Sequence, residues 1–292
     1  DLMLFLDGPM HQSGGAQLIY GARGTMSVDL TAYGASRPLH SGHYGNWAPN
    51  PTDTIVQLLA SMKNSRGETV IQGFDYEAAP LTDAEKDAVN TMPHIDEALR
   101  RNLNLPHTDQ LSDRIELQVT RPALVVRGID GGPVGEKGRN VIGTKTTASL
   151  NIRLVPGQTV DFMRKVIERH IFSRGYRPVS QEPSAEALRQ APNLIYVDWR
   201  GTGYPAYRTD LKNIEAERVS ALVERATGSA PIKTPTMGGS LPLSVVYDEL
   251  KTPILILPVA NHDNNQHGPN ENIRVGNISN AVSLLGVILA DY

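Results

Sequence analysis

Thr252-Pro-Ile-Leu-Ile-Leu-Pro-Val-Ala-Asn-His-Asp-Asn-Asn-Gln-His-Gly-Pro-Asn-Glu271 joins an apolar run of strand length to a polar loop. Pro258 and the cluster of Asn, Asp, His and Gly behind it stop the run, so residues 254–257 read as a central strand ending at a sheet edge. Open α/β sheets keep their chemistry at that edge. The loop carries His262, Asp263, His267 and Glu271, and imidazoles with carboxylates are what a divalent transition metal selects. Taken alone it reads more simply as an ordinary hydrogen-bonded surface loop, because Asn, Asp and Gly are turn formers.

Residues 2–6 make a second continuous apolar strand, ending at Asp7-Gly8-Pro9. A carboxylate at the carboxyl end of such a strand sits where ligands bind, which makes Asp7 a candidate metal ligand, with an Asp-Gly turn as the alternative. The 292 residues suffice for a sizeable core and for two domains. With 40% hydrophobic and 20% charged residues and a net charge of -3, the chain shows no global bias toward nucleic acid or an anionic membrane. It has no cysteine, which excludes disulfides, a cysteine nucleophile and thiolate metal sites, so any metal is held by His, Asp and Glu. No run approaches the roughly 18 apolar residues of a membrane span. Residues 1–7 lack the basic segment of a signal peptide and resemble a core strand entered partway through a domain, so an N-terminal portion is expected ahead of Asp1.

The middle of the chain has a different rhythm. Residues 25–33 alternate as a half-exposed strand, and residues 38–51 form a turn-rich loop with His40, His43 and Trp47. Asn50 caps a helix with Pro51 at its first position and Ile55, Val56, Leu58, Leu59 and Met62 on its apolar side. Residues 69–74 read as a short strand, Thr82 as the cap of an acidic helix toward Val89, and residues 95–103 as helical. Residues 115–119 and 122–126 look strand-like, with 127–133 a loop. Lys145 to Leu154 alternates clearly, a helix follows Thr159 with Phe162, Val166, Ile167 and Ile171 at helical spacing, and residues 194–199 form a strand. This β-α-β-β-α-β series predicts a ferredoxin-like sandwich enlarged by insertions. Beyond a linker at 203–207, Asn213 and Gly228 bracket a helix with Ile214, Val219, Leu222 and Val223 on its apolar side. Gly238-Gly-Ser-Leu-Pro242 then offers backbone N–H groups to an anion, or a tight turn, before helical residues 243–250, and a final helix spans 278–290.

In their order these pieces resemble the di-zinc metallopeptidase family of carnosinases, cytosolic-type dipeptidases, glutamate carboxypeptidase, aminoacylases and succinyl-diaminopimelate desuccinylase. The matching motifs are Asp7-Gly8, Gly21-Ala-Arg-Gly24, His40-Ser-Gly-His-Tyr-Gly45 with Asn50-Pro51, Asn140-Val-Ile142 with Asn151-Ile-Arg-Leu-Val-Pro156, Gly238-Gly-Ser-Leu-Pro242, and His267-Gly-Pro-Asn-Glu271. The resemblance implies an α/β fold: a partial zinc-exopeptidase catalytic domain (residues 1–20 and 204–292) interrupted by an enlarged ferredoxin-like α+β lid and dimerisation domain (21–203). It implies two zinc ions per complete subunit, with manganese or cobalt as alternatives, and Asp7 and His267 as terminal ligands, one to each ion. His40 would be the lid histidine that reaches the neighbouring subunit's site and stabilises the oxyanion. Arg153 and Asn140, with Gly239 and Ser240, would hold the substrate's C-terminal carboxylate and nearby carbonyl.

The implied activity is that of a dipeptidase or exopeptidase: metal-activated water hydrolyses the peptide bond of a small peptide beside its free C-terminal carboxylate, in a homodimer formed through the lid. An amidohydrolase acting on N-acyl or N-carbamoyl amino acids, or a non-catalytic dimeric peptide-binding module, is the alternative. The sequence departs from the family in one large respect. The His-x-Asp zinc motif, the bridging Asp and the Glu-Glu pair precede the Asp7 strand in relatives and are not in this sequence. His94-Ile-Asp96 has the letters but stands in the inserted helical region, a coincidence. With two of five usual ligands, the chain alone is expected to be inactive and to be completed by an N-terminal segment, in one longer polypeptide or as a separate chain. Gly143 stands where relatives often have Pro and is expected to loosen the lid hinge. Among compartments the cytoplasm is favoured over the periplasm or secretion.

Overall fold

Period-two burial along the Lys145–Leu154 strand builds the larger of two main sheets in the computed structural model, which describes residues 2–109 and 114–292. In chain order the elements are β1 (Met3–Phe5), β2 (Gln17–Ile19), β3 (Gly21–Tyr33), β4 (Leu39–His40), α1 (Ser41–Tyr44) and α2 (Pro51–Ala60). Next come α3 (Asp83–Thr91), α4 (Asp96–Asn102), α5 (Ile115–Gln118), β5 (Ala123–Asp130) and β6 (Val141–Ile142). They are followed by β7 (Lys145–Leu154), α6 (Val160–Ser173), β8 (Arg177–Val179), α7 (Ala185–Gln190), β9 (Leu194–Tyr204) and β10 (Tyr207–Arg208). The chain continues through α8 (Ile214–Thr227), β11 (Ile232–Thr234), β12 (Met237–Ser240), α9 (Leu243–Leu250), β13 (Ile254–Ile256) and α10 (Val275–Asp291).

The larger sheet runs β5-β7-β3-β9-β8. Its first four strands, with α2 after β3 and α6 after β7, follow the ferredoxin-like order, and β8 is added at one edge. In β7, Ala148, Leu150, Ile152 and Leu154 are fully buried and lie opposite Leu30, Val28, Met26 and Gly24 of β3. Ile55, Leu58 and Met62 around α2, and Met163, Val166, Ile167 and Ile171 of α6, close this face into one core. The smaller sheet, β1-β13-β2-β11, reads as buried on both faces because its strands point alternate side chains to different helices. Leu255 and Leu257 pack with Val219, Val223 and Ile288 of α8 and α10, whereas Ile254 and Ile256 pack with Leu243 of α9. The expected caps form: Asn50, Thr159 and Asn213 accept from helix N–H groups, Thr82 and Glu85 make a full capping box, and Gly228 closes α8 at φ +76°.

Several expectations need correction. Residues 115–118 are helical, since Ile115 and Val119, four apart, share one face of a helical turn as readily as one face of a strand. Residues 69–74 form turns, with only Thr69 bridging Lys63. β5 runs on to Asp130 because β7 continues to pair with it past a register shift between Val126 and Gly128. β9 likewise absorbs Gly203 and Tyr204, and α10 starts at Val275. Gly238 to Ser240 lie in β12, paired with β3, and so make no tight turn. Val56 and Ile214, expected on apolar helix faces, are largely exposed, and β1 is a half-buried edge strand.

One buried titratable group ties the larger core to pH. His170 on α6 meets Ser61 at 2.9 Å, and the Ser61 hydroxyl donates to the Leu58 carbonyl at 2.7 Å. The hydroxyl proton is thus committed, so the Ser61 oxygen accepts from the imidazole Nε2–H of His170. Burial, followed by the charge of Arg174, pushes its pKa down to about 4. The unfolded chain therefore binds the extra proton first, so stability is fully present above about pH 6.5 and falls as pH drops from there toward 4. Urea midpoints measured across that range are expected to decline in the wild type and to flatten in His170→Gln; equal slopes in both would remove this assignment.

Candidate active site

The parallel pairing of β1 with β13, Met3 opposite Ile254 and Phe5 opposite Ile256, sends both strands toward the same rim. The alignment persists past the strand ends: Leu257 donates to the Phe5 carbonyl at 2.8 Å, Pro9 bridges Ala260, and Met10 donates to the Ala260 carbonyl at 2.8 Å. Asp7-Gly8 and the Asn261 loop therefore leave the sheet side by side, although some 260 residues separate them along the chain. Gly8 turns the chain at φ +87° and its N–H donates to the Asp7 carboxylate at 2.6 Å.

Within the loop, Asp263 is bound at both oxygens by Arg274, at 2.6 and 2.5 Å, and also accepts from Asn261. The guanidinium, then the Asn261 amide, hold its carboxyl well below the usual carboxylate range. Glu271 accepts from the His267 backbone at 3.4 Å. His267 itself sits at φ +62°, a left-handed conformation fixed by the loop's turns. The loop thus uses its carboxylates to brace itself and turns His262 and His267 to a cavity of about 480 Å³ that Asp7 also lines.

Arg153, Gly239 and Ser240 line that same cavity. Arg153 ends β7 and donates to the Ser240 hydroxyl at 2.6 Å, while Ser240 donates to the Gly24 carbonyl at 3.1 Å. Ser240 thus aims the guanidinium and has spent its own proton. Arg23, whose role sequence reasoning missed, donates twice to the Gly238 carbonyl at 2.8 and 2.6 Å. Burial, and then the nearby Arg153 charge, lower its pKa to about 10. Among the described residues neither guanidinium pairs with a carboxylate, and two unneutralised arginines beside a glycine-rich strand favour an anion. The signal was present in Gly21-Ala-Arg-Gly24: a Cβ at Gly21 or Gly24 would collide with the Tyr207 or Tyr204 carbonyl, so both glycines let the returning chain cross at Arg23.

His40 and Asn140 lie elsewhere. β4 pairs with β6, placing His40 opposite Val141, and the Asn140 carbonyl accepts from Ser41 at 2.9 Å. Both side chains are exposed, and neither lines the cavity with Asp7 and Arg153. The fold brings these two residues to each other and not, within one chain, to the remaining five. His94 and Asp96 do not line the cavity either; they flank Arg114, which approaches the His94 ring at 3.3 Å and Asp96 at 3.6 Å.

The M20 peptidase dimerisation domain matches residues 20–177, more than half of the chain. The chain belongs to the M20 peptidase family. Among curated M20 relatives, the Cys-Gly metallodipeptidase DUG1 of Saccharomyces cerevisiae is 25% identical over 280 residues, covering 94% of this chain and 55% of that protein. The human Beta-Ala-His dipeptidase is 24% identical over 285 residues, covering 94% and 52%. The chain spans about half the length of the curated relatives it matches. The solved dipeptidase Dug1p of S. cerevisiae superposes with a TM-score of 0.82 at 23% identity, over 99% of this chain and 58% of that one. The metallo-carboxypeptidase Sso-CP2 of Sulfolobus solfataricus also scores 0.82, at 19% identity over 97% and 61%. The homologues are thus metallodipeptidases, and the fold is that of M20 peptidases.

M20 membership implies a metal cofactor, and the cavity can be tested for it. Asp7 and His267 supply the oxygen and nitrogen donors that zinc accepts. Among the described residues no three His, Cys, Asp or Glu side chains gather into a metal-sized group. The donors fit as part of a shell that other ligands complete. Among the described residues no helix is long and apolar enough to cross a membrane.

Proposed function

We propose that this M20 chain carries the substrate-anchoring part of a zinc-dependent dipeptidase or related exopeptidase. The observation that carries the reading is the meeting of Asp7 and His267 with Arg153 and Ser240 on one cavity. Asp7 and His267 each serve as a terminal ligand of one of two zinc ions, and the remaining ligands come from polypeptide beyond these residues, without which the chain is inactive. Bound zinc lowers the pKa of its water toward about 7 and polarises a carbonyl.

The protein's own part is orientation. Arg153, aimed by Ser240, keeps donors for the C-terminal carboxylate of a small peptide, and the buried charge of Arg23 raises the local potential. Such a clamp fixes the neighbouring peptide carbonyl against the metal end of the cavity and converts binding energy into orientation. His40 and Asn140, exposed on the β4-β6 pair, serve the site of a partner subunit, where His40 donates to the developing oxyanion and Asn140 assists in holding substrate. Residues 21–203 form the lid and dimerisation domain, and residues 1–20 with 204–292 form the catalytic part. The exposed edge strand β5, with Val125, Val126 and Ile129 partly open, suits pairing with its own copy across a two-fold axis.

The clamp is tested by kinetics. Arg153→Ala is expected to raise KM for a free dipeptide by about 10- to 100-fold, the loss of a charge-assisted hydrogen bond. It should alter much less the already poor turnover of the C-terminally amidated peptide. Equal effects on both substrates would place the carboxylate elsewhere.

A further inference from the structure

The cavity has a second charged pole that the proposed chemistry does not use. His11, on the loop leaving β1, and Glu116, on α5, both line it and are 7% and 8% exposed. The His11 Nε2 and the Glu116 Oε1 face each other at 3.9 Å, beyond hydrogen-bond reach, and among the described residues neither atom has another hydrogen-bond partner. Their other atoms are committed: His11 Nδ1 meets Ser13 at 2.8 Å, and Glu116 Oε2 accepts from Arg114 at 3.0 Å. Burial pushes the Glu116 carboxyl up, but the His11 ring, its own backbone N–H and the Arg114 guanidinium more than reverse this, so it is ionised at neutral pH.

Arg114 is the cation beside this carboxylate, and it also faces Asp96 at 3.6 Å, the His94 ring and the Val89 carbonyl. Asp96 and Glu116 share this guanidinium. A buried anionic oxygen without a donor costs free energy until a cation or a donor reaches it. Because, among the described residues, no third metal-type side chain joins the pair, the geometry suits a compact ammonium better than a metal ion. At the other charged pole, Arg153 favours an anion, and Met92, Ile95, Ile115 and Val119 also line the cavity.

We infer that Glu116, oriented by Arg114, binds the free α-ammonium group of the substrate. This rests on the dipeptidase reading and names its substrate as a zwitterion with an unblocked amino terminus. α5 thereby determines specificity, because an N-acylated substrate presents an amide that leaves Glu116 Oε1 without its cation.

The test uses the metal-loaded, full-length enzyme with alanyl-leucine and N-acetyl-alanyl-leucine. The wild type is expected to prefer the free amine by at least about 100-fold in kcat/KM, as expected where a site's buried polar group is left unpaired. Glu116→Gln should erase about 10- to 100-fold of that preference, chiefly through KM. Glu116→Asp should recover part of it, and thermal melts check that both variants fold. An unchanged preference in folded Glu116→Gln would overturn the assignment. Calorimetry with the ketomethylene isostere of alanyl-leucine, free and N-acetylated, separates this result from the chemistry. Tighter binding of the free amine that disappears in Glu116→Gln supports the ammonium site even if the wild type hydrolyses neither peptide, whereas equal binding of the two forms by the wild type overturns it.

Discussion

Asp7→Asn and His267→Ala should each reduce dipeptide hydrolysis by well over about 100-fold, with little change in thermal stability measured without metal. Groups that merely orient a metal ligand cost about 10- to 100-fold when removed, so the ligands themselves set a higher floor. Both side chains are at the cavity rim and neither is part of a hydrophobic core, which is why the loss should fall on chemistry and not on folding. The loop around His267 would survive the substitution, since Asn261, Asp263 and Arg274 brace it independently of the imidazole. Stopped-assay kinetics on the two variants, with bound zinc measured in parallel, check this. Activity within tenfold of wild type in both would remove the metal-ligand roles.

His40→Ala is the second large effect, a loss of about 10²- to 10³-fold in kcat, the size found when one oxyanion donor is deleted. Its exposed position away from the cavity makes the decisive version a mixing experiment. His40→Ala and His267→Ala subunits, each inactive alone, should recover about a quarter of wild-type activity when unfolded together and refolded at equal amounts. Random pairing in a two-fold dimer makes half of the molecules mixed, and each mixed dimer has one intact site. If His40 served its own chain's cavity, the mixture would stay inactive.

How much of this was legible depended on how local the signal was. The Lys145–Leu154 strand and the caps at Asn50, Thr82, Thr159 and Asn213 were readable because alternation and capping depend on near neighbours. The ferredoxin-like order followed from the same local elements placed in sequence. Ile115–Gln118 was misread because four residues are too few to separate a strand period from a helical one, and the true state is set by packing. The exposure of Val56 and Ile214 likewise depends on which neighbours cover a helix face. At the site, the side chains of Asp7 and His267 could be named from their strands, but their meeting depends on β1 pairing parallel with β13. Ser240's use of its proton on Gly24, Arg23's contact with Gly238 and the His11–Glu116 encounter arise only from tertiary approach, so no local pattern announced them.

The central claim is that a carboxylate after the first strand and an imidazole after the last one bind the same pair of cations. Crystals of the zinc-loaded, full-length protein, measured for anomalous scattering at the zinc edge, test it most directly. The expected map has two peaks, one about 2.0–2.2 Å from an Asp7 carboxylate oxygen and the other about 2.0–2.1 Å from a His267 ring nitrogen. Zinc bound elsewhere, with both side chains free of it, would contradict the account.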